Sequence, residues 1–81
     1  MAYSTLDQIK KGEVVRIEQI QSEDLATQLQ HLGCVPGVSI KLERKAPLGD
    51  PLIFRLDQSF ISVRLNDAKN IQVQLNPKAA K

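Results

Sequence analysis

Two short stretches rich in glycine and proline decide how this chain folds: Leu32-Gly33-Cys34-Val35-Pro36-Gly37 and Ala46-Pro47-Leu48-Gly49-Asp50-Pro51. Both place Gly and Pro where the backbone must turn sharply, because Pro presets the first turn position and Gly accepts a positive φ. Both also carry apolar residues, whereas a connecting loop normally exposes polar ones. Apolar side chains on a rigid loop indicate a contact surface.

The segments around these stretches alternate apolar and polar residues, a pattern typical of strands with one buried face. Val38, Ile40 and Leu42, for example, alternate with Ser39 and Lys41. The five segments with this pattern are 13–20, 38–43, 52–57, 60–65 and 71–75.

Helical signals occur at two places. Ser22 is a good N-cap for a helix over 23–32 that ends at Gly33, and its leucines repeat at helical spacing. Thr5 and Gln8 have the spacing of a capping box, which predicts one short helical turn over 6–10. The polar segment 66–70 is predicted to be a turn, tight enough to form one helical turn.

The order of strand, helix and four further strands predicts a mainly β fold. We expect a small, partly closed antiparallel barrel of five strands, with one inserted α-helix and a short N-terminal helical turn. The helix should cover an edge or an open end of the sheet. Residues 1–75 are expected to form a single domain, and residues 76–81 a flexible C-terminal tail.

Leu48 lies at the tip of the second Gly/Pro stretch and has two interpretations. It either folds back over the mouth of the barrel or contacts a partner. An exposed leucine with neither role would be unusual at a loop tip.

Composition limits the classes of function. The chain has 81 residues, of which 42% are hydrophobic and 25% charged, and its net charge is only +2. This charge does not favour nucleic acid or an anionic membrane as a partner. A single cysteine allows no internal disulfide, and no apolar segment is long enough to span a membrane. We therefore predict a cytoplasmic protein with no nucleic-acid partner and no direct membrane insertion.

The chain lacks the residues of a catalytic site, so we predict that it is not an enzyme. His31 and Cys34 are its one histidine and one cysteine, too few for a structural zinc site. They are weak candidates for binding Fe(II) or another divalent metal, and we predict no resident cofactor. The segment around Gly49 also lacks the Lys-Ser/Thr pair of a phosphate-binding P-loop.

Five basic residues are predicted to share one face of the sheet, where a solvated surface is the ordinary interpretation: Lys41, Arg44, Lys45, Arg55 and Arg64. Binding of nucleic acid would favour exposed aromatic side chains between them, and the chain has few.

Three segments resemble the FeoA family of ferrous iron transport accessory proteins. The opening 6–13 is similar to the family's L-x-x-L-x-x-G-x pattern, and 29–37 to its L-x-x-L-G-φ-x-P-G pattern, where φ is apolar. The segment 46–51 matches the family's A-P-L-G-D-P throughout. The resemblance as a whole runs from residue 6 to the last predicted strand and so spans nearly the whole chain.

The resemblance implies an SH3-like barrel and a cytoplasmic accessory role in bacterial Fe(II) uptake. It implies binding to, and regulation of, the cytosolic region of an FeoB-type membrane transporter, with weak self-association as a further expectation. The implied partner-binding residues are Leu32, Gly33, Val35, Pro36, Gly37, Ala46, Pro47, Leu48, Gly49, Asp50 and Pro51. The alternative is a small transition-metal-binding or metal-sensing module, similar to the SH3-like domain of iron-dependent repressors.

Overall fold

The alternating segments form antiparallel strands in the computed structural model, which describes residues 2–75. The strands are β1 (Tyr3–Thr5), β2 (Val14–Ile20), β3 (Ser39–Lys45), β4 (Leu52–Leu56), β5 (Ser59–Val63) and β6 (Ile71–Leu75). The helices are α1 (Glu23–His31) and α2 (Leu65–Ala68), and a 3-10 turn covers Leu6–Gln8. The predicted tail, 76–81, lies outside the described residues, and the single domain over 1–75 stays a prediction.

All six strands belong to one antiparallel sheet with the order β1-β6-β2-β3-β4-β5. Within residues 2–75 the two terminal strands, β1 and β5, do not pair with each other, so strand pairing does not close the sheet. The mainly β architecture with an inserted helix is confirmed. The sheet contains six strands instead of the five that were predicted.

The additional strand is β1, which the sequence pattern did not indicate. It has three residues, too few to show an alternation, and it forms because β6 offers an unpaired edge. Ser4 lies opposite Val73, and the Leu75 amide donates to the Ala2 carbonyl oxygen at 2.9 Å. The strand therefore depends on a partner about seventy residues away in sequence, a dependence that only the folded chain reveals.

The N-terminal helical turn is shorter than predicted and is not a capping box. It ends at Gln8, and the Thr5 hydroxyl donates to the Asp7 carboxylate without capping a backbone amide. Gly12 lies in a later tight turn at φ +90°. There its amide donates to the Leu42 carbonyl oxygen at 2.7 Å. The tight turn at Gly12 is therefore held by its hydrogen bond to β3, whereas the 3-10 turn has no side-chain cap.

The inner face of the sheet forms the hydrophobic core, with Phe54 of β4 among its largest fully buried side chains. Leu6 and Ile9 from the N-terminal segment also contribute to this core. The other buried apolar residues are Val15, Ile17, Leu25, Leu29, Cys34, Ile40, Leu42, Leu52, Ile61, Val63, Ala68, Ile71 and Val73.

Helix α1 adds Leu25 and Leu29 to this core through one apolar face. The Ser22 hydroxyl accepts from the Leu25 amide at 3.3 Å, which confirms Ser22 as the N-cap. Gln28 of α1 and Ser62 of β5 line the same surface depression. The helix and the terminal strand β5 therefore border one depression, and the helix also packs against β2.

Replacing the two phenylalanines separately tests this assignment of faces. Phe54→Ala should lower the free energy of unfolding by about 3–5 kcal/mol, because it leaves a cavity in the core. Phe60→Ala is the matched control, since Phe60 is 63% exposed and its loss should change stability by only about 0.5 kcal/mol. Urea unfolding of both variants measures the difference, and equal destabilisation would contradict the assignment.

Candidate functional site

The first Gly/Pro loop, residues 32–37, begins as the C-terminal cap of α1. The Gly33 amide donates to Gln30 O at 3.0 Å, and the Cys34 amide donates to Leu29 O at 2.9 Å. Gly33 has a φ of +84°, which a residue with a side chain rarely adopts. These two bonds form a Schellman motif, so Gly33 is required where the chain leaves the helix.

The same loop is then attached to β2. The Val38 amide donates to Val35 O at 3.1 Å and closes a turn in which Pro36 and Gly37 are the central residues. The Gly37 amide donates to Ile17 O at 2.7 Å, and the Ile17 amide donates to Val38 O at 2.9 Å. The turn therefore holds a fixed position against the sheet.

The second Gly/Pro loop, residues 46–51, closes on itself between β3 and β4. The Ala46 amide donates to Pro51 O at 3.0 Å, and the Gly49 amide donates to Ala46 O at 2.7 Å. The Asp50 carboxylate accepts from the Leu65 amide at 2.9 Å, at the first residue of α2. Because both backbone and side-chain bonds restrain this loop, it behaves as a rigid projection.

Leu48 lies at the tip of this projection and is 95% exposed. It does not fold back over the sheet, so the first of the two interpretations offered by the sequence does not hold. A rigid loop that presents a leucine to solvent loses little conformational entropy on docking. The geometry is therefore suited to insertion into an apolar pocket of a partner.

The two loops lie at opposite ends of β3 and do not form one patch. Loop 32–37 leads into Ser39, and loop 46–51 follows Lys45, so a strand of about 20 Å separates them. Gly33 confirms the arrangement, because a Cβ on it would lie 3.6 Å from Leu56 at the far end of β4. The two loops are close in sequence, but the extended strand β3 between them places them on two separate surfaces.

The end of the sheet near the first loop has its own apolar surface. Leu32 is 52% exposed there, and Val38 and Leu56 are partly buried against the core. These three residues, with Asp57, contribute to a groove of about 520 Å³. Of the five predicted contact residues in this region, only Leu32 presents a large, half-exposed apolar side chain.

The weak metal candidates lie in different environments. Cys34 is buried in the hydrophobic core, and His31 is exposed at the end of α1. Burial raises the pKa of the Cys34 thiol to about 11, which disfavours the thiolate that binds metals. Within residues 2–75, no group of three or more His, Cys, Asp or Glu side chains is placed to hold a metal ion. Metal binding by these residues stays a prediction.

Two features of the surface were missed by reasoning from the sequence. One is the bond between Asp50 and the Leu65 amide, which joins segments that are fifteen residues apart. The other is the exposure of Phe60, which follows from the alternation in β5, where Ile61 and Val63 point inward. That alternation was readable, but an aromatic residue in a strand is usually assigned to the core.

Comparison with known proteins places the chain in a family. The model of the FeoA domain matches residues 4–75. The chain belongs to the FeoA family. No protein of curated function matches its sequence. The resemblance carried by the Gly/Pro stretches is thereby confirmed.

Solved structures support the same assignment. The FeoA protein of Chlorobium tepidum is 30% identical, with a TM-score of 0.83 over 89% of this chain and 70% of that one. The FeoA of Stenotrophomonas maltophilia, solved with zinc and described as a prokaryotic SH3-domain protein, is 25% identical, with a TM-score of 0.75 over 88% of this chain and 89% of that one. The fold of this FeoA-family protein is accordingly SH3-like.

A further solved structure shares the fold. The T. acidophilum IdeR is 23% identical, with a TM-score of 0.79, and the match covers 93% of this chain and 35% of that one. At this identity the likeness concerns the fold alone.

In the part of the chain that is described, no helix is long and apolar enough to cross a membrane.

The burial of Cys34 predicts a thiol that does not react in the folded protein. A thiol with a pKa near 11 is almost fully protonated at pH 8, and its position in the core excludes reagent. An aromatic disulfide reagent should therefore label native protein slowly and urea-unfolded protein rapidly. Labelling of the native protein at the unfolded rate would contradict the assignment.

The bond from Asp50 predicts that one side chain restrains the second loop. Asp50→Ala should lower stability by about 0.5–2 kcal/mol and speed hydrogen exchange of the Leu65 amide. Asp24→Ala is the matched carboxylate control, since Asp24 is exposed on α1. It should leave hydrogen exchange of the Leu65 amide unchanged. Exchange at Leu65 that is equally slow in both variants would show that the loop is held by other contacts.

Proposed function

We propose that this protein is a non-enzymatic, cytoplasmic accessory protein of bacterial Fe(II) uptake. In this proposal it binds the cytosolic region of an FeoB-type membrane transporter and regulates it. Membership of the FeoA family supports the link to ferrous iron transport. The Stenotrophomonas maltophilia FeoA has been suggested to act as a ferrous iron transport activating factor, which is consistent with a regulatory role.

The observation that carries the proposal is the exposure of Leu48 on a restrained loop. The side chain is 95% exposed, while the loop below it is restrained by bonds at Ala46, Gly49 and Asp50. Such a residue contributes nothing to the core, and an exposed leucine is unfavourable in water. Insertion of Leu48 into an apolar pocket of the transporter would bury most of its side chain.

The separation of the two loops defines how docking occurs. We propose that the contact is centred on loop 46–51, where the exposed apolar side chain is. Loop 32–37 contributes through Leu32 only if the partner extends along the whole of β3. Variants in each loop therefore report on separate parts of the interface.

Substitution of Leu48 tests the proposal. Leu48→Asp should weaken binding to the purified cytosolic region of the transporter by about 1–2 kcal/mol, or roughly tenfold in Kd, because a carboxylate cannot enter an apolar pocket. Tyr3→Asp is the matched control, since Tyr3 is also exposed but belongs to β1 at the other end of the strand order. Isothermal titration calorimetry measures both, with circular dichroism to confirm the fold.

Unchanged affinity of the Leu48→Asp variant, with the fold intact, would eliminate this loop as the contact. A reconstituted transporter extends the test to regulation. Adding wild-type protein should change its GTPase rate and Fe(II) uptake, and the Leu48→Asp variant should require roughly tenfold higher concentration for the same effect. An equal effect of both proteins would contradict a regulatory role of Leu48.

A further inference from the structure

A row of four exposed side chains crosses the outer face of the sheet. Val14 lies opposite Lys41, Lys41 opposite Arg55, and Arg55 opposite Phe60. The row therefore runs across β2, β3, β4 and β5 in a single register. Its neighbours along each strand point inward to the core, so all four side chains project from the same face.

The order of chemical types along this row is apolar, basic, basic, apolar. Val14 is 46% exposed and Phe60 is 63% exposed, so both ends of the row present apolar surface to solvent. Neighbouring strands are about 4.8 Å apart, which places the two ends roughly 14 Å from each other. Phe60 also lines a depression with Glu43, Arg44 and Ile53, which extends the apolar surface at that end.

The two cations of the row share a single carboxylate. Glu43 lies 3.9 Å from the Lys41 ammonium and 3.8 Å from Arg55 Nη1. Both distances are long for ion pairs, and the cations are about half exposed, so these contacts contribute little to stability. One carboxylate between two cations leaves net positive charge at the centre of the row, where a second carboxylate would be favourable.

We propose that this row, Val14–Lys41–Arg55–Phe60, is a docking surface for an extended protein segment that carries an acidic residue between two apolar ones. In an extended segment, residues i, i+2 and i+4 point to one side and span about 13 Å, close to the length of the row. The central carboxylate meets Lys41 and Arg55, and the flanking apolar side chains meet Val14 and Phe60. The surface is separate from loop 46–51 and does not depend on the transporter as partner.

An acidic protein segment fits this surface better than nucleic acid. The net charge of the whole chain is +2, and the row contains only two cations and one aromatic ring. Binding to single strands relies on several stacked bases and many phosphate contacts, which this row does not supply. Two cations flanked by apolar groups are matched by one or two carboxylates with apolar neighbours.

A synthetic peptide tests the proposal directly. The probe contains Leu-Ser-Glu-Ser-Phe within neutral flanking residues, and the control peptide has Gln in place of Glu. Titration of ¹⁵N-labelled protein with the probe should shift amide signals of β2, β3, β4 and β5 around the row. The Gln peptide should bind with about fivefold lower affinity than the Glu peptide. Added salt should lower the affinity of the Glu peptide only, because only that peptide carries the screened charge.

Variants of the protein locate the binding. Phe60→Ser and Lys41→Gln should each lower the affinity for the Glu peptide by about fivefold. Leu32→Ser and Lys69→Gln change exposed residues off the row and should leave that affinity unchanged. Lys41 is preferred to Arg55 because Arg55 Nε also donates to Asp57 O at 3.0 Å in the β4–β5 turn. Leu48→Asp should bind the peptide as the wild type does, which separates this surface from the proposed transporter contact.

Three results would overturn the proposal. The first is no signal change at millimolar peptide, and the second is full binding by both Phe60→Ser and Lys41→Gln. The third is tighter binding of a single-stranded oligonucleotide than of the peptide through the same residues. If Phe60→Ser does not fold, Val14→Ser at the other end of the row provides the same test.

Discussion

The inner face of a six-stranded sheet must be shielded from water in this protein by two short helices and a 3-10 turn. The inward-facing apolar side chains of the sheet, among them Phe54, are therefore buried in the core and are not available to a partner. A domain of this size has little apolar surface to spare, because a short chain buries a smaller fraction of its surface than a long one. Recognition is left to the outer face of the sheet and the loops at its ends.

The same constraint explains why the loops are rigid. The chain must turn from α1 into β3, and again from β3 into β4, within a few residues each time. Positive φ values at Gly33, Gly37 and Gly49 make those reversals possible. Backbone bonds to neighbouring strands and the Asp50 carboxylate then hold the loops in place. A loop fixed for the sake of strand register is also preorganised for binding, so one set of Gly and Pro residues serves both purposes.

The two surfaces proposed for binding differ in their chemistry. Loop 46–51 offers one fully exposed leucine, which requires an apolar pocket on the partner. The Val14–Lys41–Arg55–Phe60 row offers separated apolar ends with positive charge between them, which requires an acidic segment. Apolar insertion is insensitive to salt, whereas the contact with the row weakens as salt screens the charges. Ionic strength therefore distinguishes the two contacts in one preparation.

Local sequence patterns were enough to predict five of the six described strands, their buried faces, the start and end of α1 and membership of the FeoA family. These properties depend on local periodicity, on caps such as Ser22 and on turn residues such as Gly33. Only the tertiary structure decided that β1 pairs with β6, that Asp50 binds the Leu65 amide, and that Leu48 projects into solvent. It also separated the two loops along β3 and aligned Phe60 with Val14 across four strands. Those relations depend on register between segments distant in sequence, which no local pattern encodes.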